Sequence, residues 1–333
     1  MSGLAALILT AVALPSLLAR LTGGHPPKPG PQLAAFAPVA ALPAVAAVVI
    51  AATTAWWLAA LLAIPAAILV AWQLPPPRPA RYEAAAGPAR GREPGPYMLT
   101  LRALTLNVLH GSADAAAVVR NVRQHNVDVL FVQELTPEIV GRLAETDLDG
   151  LLPFSHLHPR PAAGGTGLWA RWPLTPLPPV PGTLAATPRA RVDPVGGRPV
   201  TLTAVHPKAP LNRYEHQWQR ELTVLREVLT GTEGPQVVAG DFNATRDHQP
   251  FRDLLAAGFL DCGDAARRRP WPGFTWPSVW PGFIWRVHPP FLPIMRLDHV
   301  LVSRAAATVL GTRVIRVPGT DHCGVLAVIE LKL

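Results

Sequence analysis

Cysteine is nearly absent from this chain of 333 residues, which contains only Cys262 and Cys323. Two cysteines are too few for a disulfide framework, and no Cys/His spacing typical of a zinc site is present. A single disulfide between them stays open, so cysteine usage does not identify the redox compartment. The sequence also lacks an internal repeat, which excludes solenoid and propeller architectures.

Lysine is scarce too, and arginine supplies most of the formal net charge of +8 and the pI near 10.4. A strongly basic chain favours an anionic partner, such as nucleic acid, phospholipid or a phosphorylated substrate. The alternative is that the arginine content reflects genome composition. Charge alone does not choose between these explanations.

Charged side chains are missing from residues 1–19 and again from residues 31–74. The second run is long enough for two spans of about 20 residues each, which we predict near Leu33–Ala52 and Ala55–Leu74. The first run, Gly3–Ala19, is short and contains Pro15. It is either a third span or a stretch resembling a signal peptide.

Residues 1–74 are therefore predicted to be a membrane anchor of two to three transmembrane helices. Residues 75–97 are rich in proline and arginine and are predicted to be a linker. The arginines of this linker place the following domain in the cytoplasm by the positive-inside tendency. That domain comprises residues 98–333, which suffices for one substantial core.

The domain alternates predicted strands and helices. The predicted strands are 99–107, 127–133, 166–170, 199–205, 237–239, 297–302, 313–317 and 324–330. The predicted helices are 114–124, 136–143, 213–229 and 251–257.

One stretch, Val237–Thr245, combines a buried strand with polar residues at its end. We predict that the strand ends at Ala239 and that Gly240 allows a sharp turn. Asp241 and Asn243 then project to the same side, with Phe242 pointing the other way. Polar groups at strand ends usually form the site in sheets covered by helices.

Other predicted strands also end in polar residues. They are Asn107, Glu134, His206, Asp298 and the pair Asp321–His322. Each has an ordinary explanation taken singly, such as a cap, a surface salt bridge or a solvated histidine. The whole set points to one site with the groups that phosphate chemistry requires.

In this order the motifs resemble the endonuclease/exonuclease/phosphatase superfamily of DNase I-like enzymes, over about residues 99–333. The resemblance rests on Thr105-Leu106-Asn107-Val108, Gln133-Glu134, Gly167-Leu168-Trp169-Ala170-Arg171-Trp172-Pro173, Val205-His206, Gly240-Asp241-Phe242-Asn243, Arg296-Leu297-Asp298-His299 and Thr320-Asp321-His322. It implies an α/β four-layer sandwich of two mixed sheets with helices outside. Thr320 stands where the family usually has serine, which keeps the hydroxyl.

The resemblance also implies a phosphoesterase that uses Mg²⁺ or Mn²⁺. Glu134 is the expected first metal ligand, with Asn107 beside it directly or through water and Asp321 nearby. The expected catalytic residues are His322, Asp298, Asp241, Asn243 and His206.

Their expected roles differ. Asp298 would orient His322, which acts either as general base or as a ligand of a phosphate oxygen. Asp241 would orient water or assist the leaving group, while Asn243 and His206 would donate hydrogen bonds to phosphoryl oxygens. Arg171 either supports substrate binding from behind or forms a structural salt bridge.

An insertion before Asp298 is rich in tryptophan and arginine, and we predict that Trp271, Trp280 and Trp285 bind substrate. Aromatic side chains beside arginine stack on bases or lie in a membrane interface. An apolar flap over the sheet is the third interpretation.

Among membrane-anchored members, the chain resembles the actinobacterial teicoplanin-resistance type of phosphohydrolase. That resemblance implies a multi-pass protein of the cell membrane with an extracytoplasmic catalytic domain. It would act on a lipid-linked phosphate such as polyprenyl pyrophosphate. We prefer this topology to the one from the linker charges. The alternatives are a membrane-tethered or secreted Mg²⁺-dependent nuclease that binds nucleic acid, and a non-enzymatic binding module, which the intact set of site residues disfavours.

Overall fold

The computed structural model describes residues 2–25, 29–74, 98–194, 199–211, 213–266, 273–279 and 290–332. The predicted linker at 75–97 lies outside the described residues. So do Trp271, Trp280 and Trp285 of the tryptophan-rich insertion.

The N-terminal segment forms the helices Ser2–Leu21, Gly30–Ala35, Ala37–Ala52 and Trp56–Gln73. They pack through small side chains, including Ala13, Ala40 and Ala66. Ser2–Leu21 and Trp56–Gln73 are long and apolar enough to cross a membrane, whereas Ala37–Ala52 is apolar but shorter.

The predicted span Leu33–Ala52 is not one continuous helix. The chain breaks at Phe36, which ends the six-residue helix before it and begins the next. Pro38 explains the break, because proline lacks the N–H that a continuous helix requires and its ring would clash with the carbonyl four residues back. Pro15, in contrast, is accommodated within Ser2–Leu21.

Two six-stranded sheets form the body of the domain. The first has the order β11-β12-β1-β2-β4-β3 and the second β5-β6-β7-β8-β10-β9. The strands are β1 Met98–Asn107, β2 Val129–Gln133, β3 Phe154–His158, β4 Thr166–Ala170, β5 Leu174–Leu177, β6 Arg189–Val192, β7 Val200–Val205, β8 Gln236–Asp241, β9 Phe259–Asp261, β10 Asp298–Ser303, β11 Ala307–Arg316 and β12 Cys323–Lys332.

Each sheet has one parallel pair at its centre, β1 with β2 and β7 with β8. An antiparallel strand lies beside each pair: β12 joins β1, and β10 joins β8. The sheets face each other across a core that includes Phe131, Leu202 and Val300. The apolar alternation along each strand builds this core.

Helices cover the outer faces of both sheets. Those on the first sheet are Ala115–Gln124, Pro137–Ala144 and Leu148–Leu151. Those on the second are Glu215–Thr230 and Gln249–Ala256, whereas the short helix Cys262–Ala265 packs against the core between the sheets. The side chains of Asp114 and Thr136 cap two of them. The predicted α/β sandwich is confirmed.

Four strands were not predicted, and three of these (β3, β5 and β9) lie at sheet edges; β6 lies next to β5. Edge strands are half-exposed, so their apolar alternation is weak, and Pro176 in β5 is tolerated only because no ladder is required on one side. Strand β11 is longer than predicted because it pairs along the whole of β12 across a bulge.

Candidate active site

The predicted site residues meet at one end of the sandwich, where its two sheets open. Asn107 ends β1, Glu134 follows β2, and Asp241 ends β8. Because parallel strands share a direction, their carboxyl ends lie at the same edge. The antiparallel strands β10 and β12 begin at this edge, which brings Asp298 opposite Asp241 and places His322 just before Cys323.

Strand alternation turns these side chains into the space between the sheets. Val237 and Ala239 belong to the core between the sheets, and Asp241 continues the same face of β8. Phe242 points to the opposite side, where it packs on Phe251 under the outer helices. The predicted separation of the two directions is thus observed.

Gly240 does not make a turn, which corrects the sequence prediction. It lies within β8, opposite His299 and Val205. A Cβ there would lie 1.9 Å from the carbonyl oxygen of Val205. Glycine is therefore required by the close approach of the two parallel strands and not by chain reversal.

Asn107 bridges two carboxylates across the gap between the sheets. Its Nδ2 donates to Oε1 of Glu134 and to Oδ2 of Asp241, both at 3.1 Å. Its Oδ1 accepts from the backbone N–H of Leu109 at 3.0 Å, which fixes the amide orientation. This side chain therefore links the two sheets at the site.

Glu134 receives further support from the loop after β1. The backbone N–H of His110 donates to its Oε2 at 2.7 Å. Burial by itself raises the pKa of Glu134, but His206 and the hydrogen bonds from Asn107 and His110 together lower it below its usual value. The carboxylate is therefore ionised at neutral pH and available to a cation.

Two of these residues have left-handed backbones, which are uncommon outside glycine. Glu134 has φ 58° and Asn243 has φ 48°. Residues in such conformations concentrate at functional sites, because the surrounding structure must hold them there. Here the side chain of Glu134 meets Asn107 at the end of β1, and that of Asn243 meets Pro207 just after β7.

His206 faces the same two carboxylates. Its Nδ1–H donates to the carbonyl of Ala163 at 3.2 Å, and its Nε2 lies 3.7 Å from Oδ2 of Asp241 and 3.9 Å from Oε1 of Glu134. Burial raises the pKa of Asp241, and so does Asp298, although His322 and His206 oppose them. A carboxyl with a raised pKa is suited to accept and return a proton.

His322 and Asp298 form the predicted pair. Nδ1–H of His322 donates to Oδ2 of Asp298 at 2.9 Å, and Nε2 lies 3.7 Å from Oδ2 of Asp241. Burial alone would lower the pKa of His322, but these two carboxylates raise it to about 10. The imidazole is thus protonated at neutral pH.

The donor chemistry of the site fits a hard divalent cation. Carboxylate oxygens of Asp241 and Asp298 lie within 4.8 Å of each other. Among the described residues, Oδ1 of Asp298 and Oδ1 of Asp321 are buried acceptors without a hydrogen-bond partner. Several buried carboxylates with unused oxygens form an arrangement that a cation stabilises.

A pocket of about 470 Å³ opens above these residues. Its floor contains Glu134, Asp241 and His322, and its rim includes Lys208 and Tyr214. The ammonium of Lys208 lies 5.0 Å from the centre of the Tyr214 ring. The pocket has the volume of a small-molecule site and a cationic, aromatic rim.

One predicted site residue, Arg171, lies elsewhere. Arg171 binds Oδ1 of Asp128 through Nε at 2.9 Å, at the end of β2 remote from Glu134. Of the two roles that the sequence allows for Arg171, this contact fits the structural salt bridge and not substrate binding.

Asp321 lies beside His322, and its Oδ2 accepts a hydrogen bond from the indole of Trp276 at 3.0 Å.

His110, Lys208 and Tyr214 line the pocket, but sequence reasoning assigned them no role. All three lie outside regular elements, so no periodicity marks them. His110 follows the Thr105-Leu106-Asn107-Val108 motif by two residues, and that proximity is the one signal that was present.

Comparison with known proteins agrees with this geometry. Residues 104–322 match the model of the Endonuclease/Exonuclease/phosphatase family. The structure of D. rerio TDP2 complexed with single strand DNA product is 18% identical, with a TM-score of 0.53, and covers 69% of this chain and 98% of its own. An AP endonuclease from Archaeoglobus fulgidus is 13% identical, with a TM-score of 0.52 and coverages of 68% and 98%. At these identities the likeness establishes the fold alone. No curated protein matches the chain.

Proposed function

We propose that this chain, which belongs to the Endonuclease/Exonuclease/phosphatase family, hydrolyses a lipid-linked phosphate ester or pyrophosphate. It would do so at the membrane to which its N-terminal helices anchor it. Its structural neighbours include hydrolases of phosphate esters. The observation that carries the proposal is the position of the pocket: its rim touches the end of the helical bundle.

The reaction requires neutralised phosphoryl oxygens, an oriented water and a stabilised leaving group. We propose that Glu134 holds the divalent cation with Asn107 and Asp321, while Asp241 and Asp298 add negative charge nearby. When bound, Mg²⁺ or Mn²⁺ would supply Lewis acidity toward the phosphoryl oxygens. The lowered pKa of Glu134 and the unused Oδ1 of Asp321 support this assignment.

The other residues act on protons and oxygens. The raised pKa of His322 favours an imidazolium that holds a phosphoryl oxygen over a neutral imidazole that acts as general base. Asp241, whose pKa is also raised, is then the group that orients and deprotonates water. His206 and Asn243 complete the phosphate-facing surface, and both are partly or wholly buried at the pocket.

Two observations favour a lipid substrate. Leu184, Leu211 and Tyr214 expose apolar surface at or beside the rim, next to Lys208. Gln32, at the domain-facing end of the helices, donates to the carbonyl of Pro210 on the rim segment between Lys208 and Tyr214. An apolar, cationic rim beside a bundle with membrane-spanning length is suited to a phosphorylated headgroup with its chain in the bilayer.

The test is hydrolysis by the full chain, purified in detergent and reconstituted in vesicles with Mg²⁺. Polyprenyl pyrophosphate, phosphatidate, sphingomyelin, plasmid DNA and RNA are compared, with Glu134→Gln as the inactive control. We expect release of phosphate from a lipid in the same vesicle as the enzyme. DNA or RNA cleavage without lipid turnover would contradict the lipid assignment.

The second candidate is a membrane-tethered nuclease. It is supported by the TDP2 neighbour that was solved with a single strand DNA product and by the net charge of +8. A nuclease would lose affinity steeply with rising salt, because phosphate contacts release counterions. Weak salt dependence in the substrate comparison favours the lipid enzyme.

A further inference from the structure

The loop between β8 and the helix Gln249–Ala256 joins the active site to the N-terminal helices. At its inner end, the backbone N–H of Asn243 donates to Oδ1 of Asp241 at 2.8 Å, and Nδ2 of Asn243 donates to the carbonyl of Pro207 at 3.0 Å. The loop thus begins with two residues of the pocket. Its conformation decides where Asn243 presents its side chain.

The outer end of this loop is bound to the helices. Nε2–H of His248 donates to the carbonyl of Pro31 at 2.7 Å, while its Nδ1 accepts from the backbone N–H of Thr245 at 2.9 Å. The next backbone N–H, of Gln249, donates to the carbonyl of Gly23 at 2.8 Å. Burial lowers the pKa of His248 to about 4, so the neutral tautomer that makes both bonds is the stable form at neutral pH.

A buried ion pair lies beside these hydrogen bonds. Nε of Arg20, at the end of the first helix, is 2.5 Å from Oδ1 of Asp247, whose side chain is fully buried. The guanidinium of Arg20 also lies 4.2 Å from the centre of the Trp72 ring, on the last helix of the bundle. Arg20 of the first helix therefore binds a carboxylate of the loop while it packs on the last helix.

The close approach of the two parts depends on glycine. Gly24 has φ 63°, and a Cβ there would lie 2.7 Å from Cβ of Ala34 and 3.2 Å from Cδ2 of His248. All these contacts come from the same end of the helical bundle, which also provides the Leu74 carbonyl for Arg246 at 3.2 Å. Residues 75–97 could extend to tens of ångströms at about 3.3 Å per residue, so connection alone would not impose these contacts.

We propose that Asp247 and His248 are positioning residues, which bind the loop after β8 to the N-terminal helices and so set the position of Asn243 in the pocket. The helices are then part of the catalytic body and not a passive tether. The catalytic part of this inference rests on the proposed function. The structural part, a loop held by the helices, does not.

The experiment uses the full chain in detergent and compares Arg20→Met, Arg20→Lys and Asp247→Asn with Arg226→Met. Arg226 pairs with Asp253 at 3.8 Å on the half-exposed surface of the neighbouring helices and serves as the matched control. The measurements are kcat and KM on bis(p-nitrophenyl) phosphate, a soluble substrate that needs no membrane, and amide hydrogen exchange in residues 243–249. Thermal unfolding confirms that each variant is folded.

We expect Arg20→Met to lower kcat about 10-fold with KM unchanged, since misplacement of a site residue acts on the chemical step. Amide exchange in the loop should accelerate, Arg20→Lys should restore part of kcat, and Arg226→Met should match the wild type. The double variant Arg20→Met/Asp247→Asn should be no worse than the single ones, because both remove one interaction.

An unchanged kcat in folded Arg20→Met would overturn the positioning role. Unchanged exchange in residues 243–249 would show that the helices do not hold the loop. If the wild type hydrolyses none of the substrates, the proposed function fails, and the exchange comparison still decides whether the docking exists.

Discussion

Strand β10 begins with Asp298 and His299, two adjacent residues that enter two different buried Asp–His pairs. In the active site, Nδ1 of His322 lies 2.9 Å from Oδ2 of Asp298. On the other face of the strand, Nδ1 of His299 lies 2.9 Å from Oδ2 of Asp261. The distances are the same, so geometry within the pair does not distinguish a histidine proposed for catalysis from a structural one.

The surroundings of the two pairs differ. Nε2 of His299 faces the carbonyls of Ala244 and Arg296 at 2.9 and 3.1 Å. Asp261 is also bound by the guanidinium of Arg296 at 2.6 Å. In the active site, Nε2 of His322 faces another carboxylate and the pocket.

The two pairs also differ in how the charges of their carboxylates are compensated. Burial alone would raise the pKa of Asp261, but Arg296 and His299 lower it well below its usual range. The pKa of Asp241 is raised. Asp261 is compensated in place by a guanidinium, whereas the His322–Asp298 pair faces the additional carboxylate of Asp241, whose charge a bound cation would compensate.

The largest expected effect separates the two histidines. His322→Asn should lower hydrolysis about 1,000-fold, because the group that stabilises phosphoryl charge is lost, and leave the protein folded. His299→Asn, the matched change one strand face away, should keep hydrolysis and cost about 2 kcal/mol of stability. Steady-state kinetics and denaturant unfolding measure both. Equal loss of activity in two folded variants would remove the distinction.

The next effect concerns the carboxylates. Asp261→Asn should destabilise the protein by about 3 kcal/mol, because the buried guanidinium of Arg296 loses one of its anionic partners. Asp298→Asn should cost stability as well as most of the activity, since an amide no longer stabilises the imidazolium of His322. Urea unfolding is the measurement for the first and kcat for the second. A stable Asp261→Asn variant would show that Asp264 alone suffices for Arg296.

The pH dependence should divide the pairs again. The pKa of His322 is raised to about 10, so its contribution to stability is complete below pH about 6.5 and is lost as pH rises toward 10. The pKa of Asp261 is lowered, so its contribution is present above pH about 3.8 and is lost in acid. Denaturant unfolding from pH 4 to pH 10 should show His322→Asn flattening only the alkaline decline.

The direction in which kcat changes with pH distinguishes two roles of His322. If protonated His322 holds a phosphoryl oxygen, kcat should fall as pH approaches 10. If it were the general base, kcat would rise toward that pH instead. The control is His299→Asn, which should follow the wild-type profile.

The smallest effect is thermal. Mg²⁺ at saturating concentration should raise the Tm by a few degrees, because a ligand of the folded state stabilises it by mass action. Glu134→Gln should abolish this shift, and Asp261→Asn should retain it on a lower baseline. A shift that survives in Glu134→Gln would place the cation elsewhere.

Much of the site could be predicted from sequence, because strand alternation and motif order decide which polar residues reach the open end of the sheets. Asn107, His206 and Asp241 continue apolar alternations and are found where expected. The motif assigns Asp298 to the site. The residue types alone do not separate it from His299, since both could belong to an Asp–His pair. Only the strand register shows which one faces the pocket.

Other features depend on neighbours that are remote in sequence. In the sequence Gly240 resembles a turn residue. Only its closeness to Val205 in the structure shows that strand packing requires glycine there. The sequence allows Arg171 to support substrate binding or to form a structural salt bridge, because it does not show that Asp128 lies at the guanidinium. Rim residues such as Lys208 and Tyr214 are brought in by loops, and Glu221 holds two of those loops through the backbone N–H groups of Leu184 and Lys208. No local pattern encodes such contacts.

Pairing of β1 with β12 has a consequence for biosynthesis. Met98 is opposite Lys332 and Thr105 is opposite Val325, so the first strand of the domain pairs with the last one. During synthesis the first sheet stays open on the β12 side of β1 until residues 323–332 have left the ribosome. A truncation within the last ten residues would remove a central strand of the sheet. The remaining chain could not complete the first sheet.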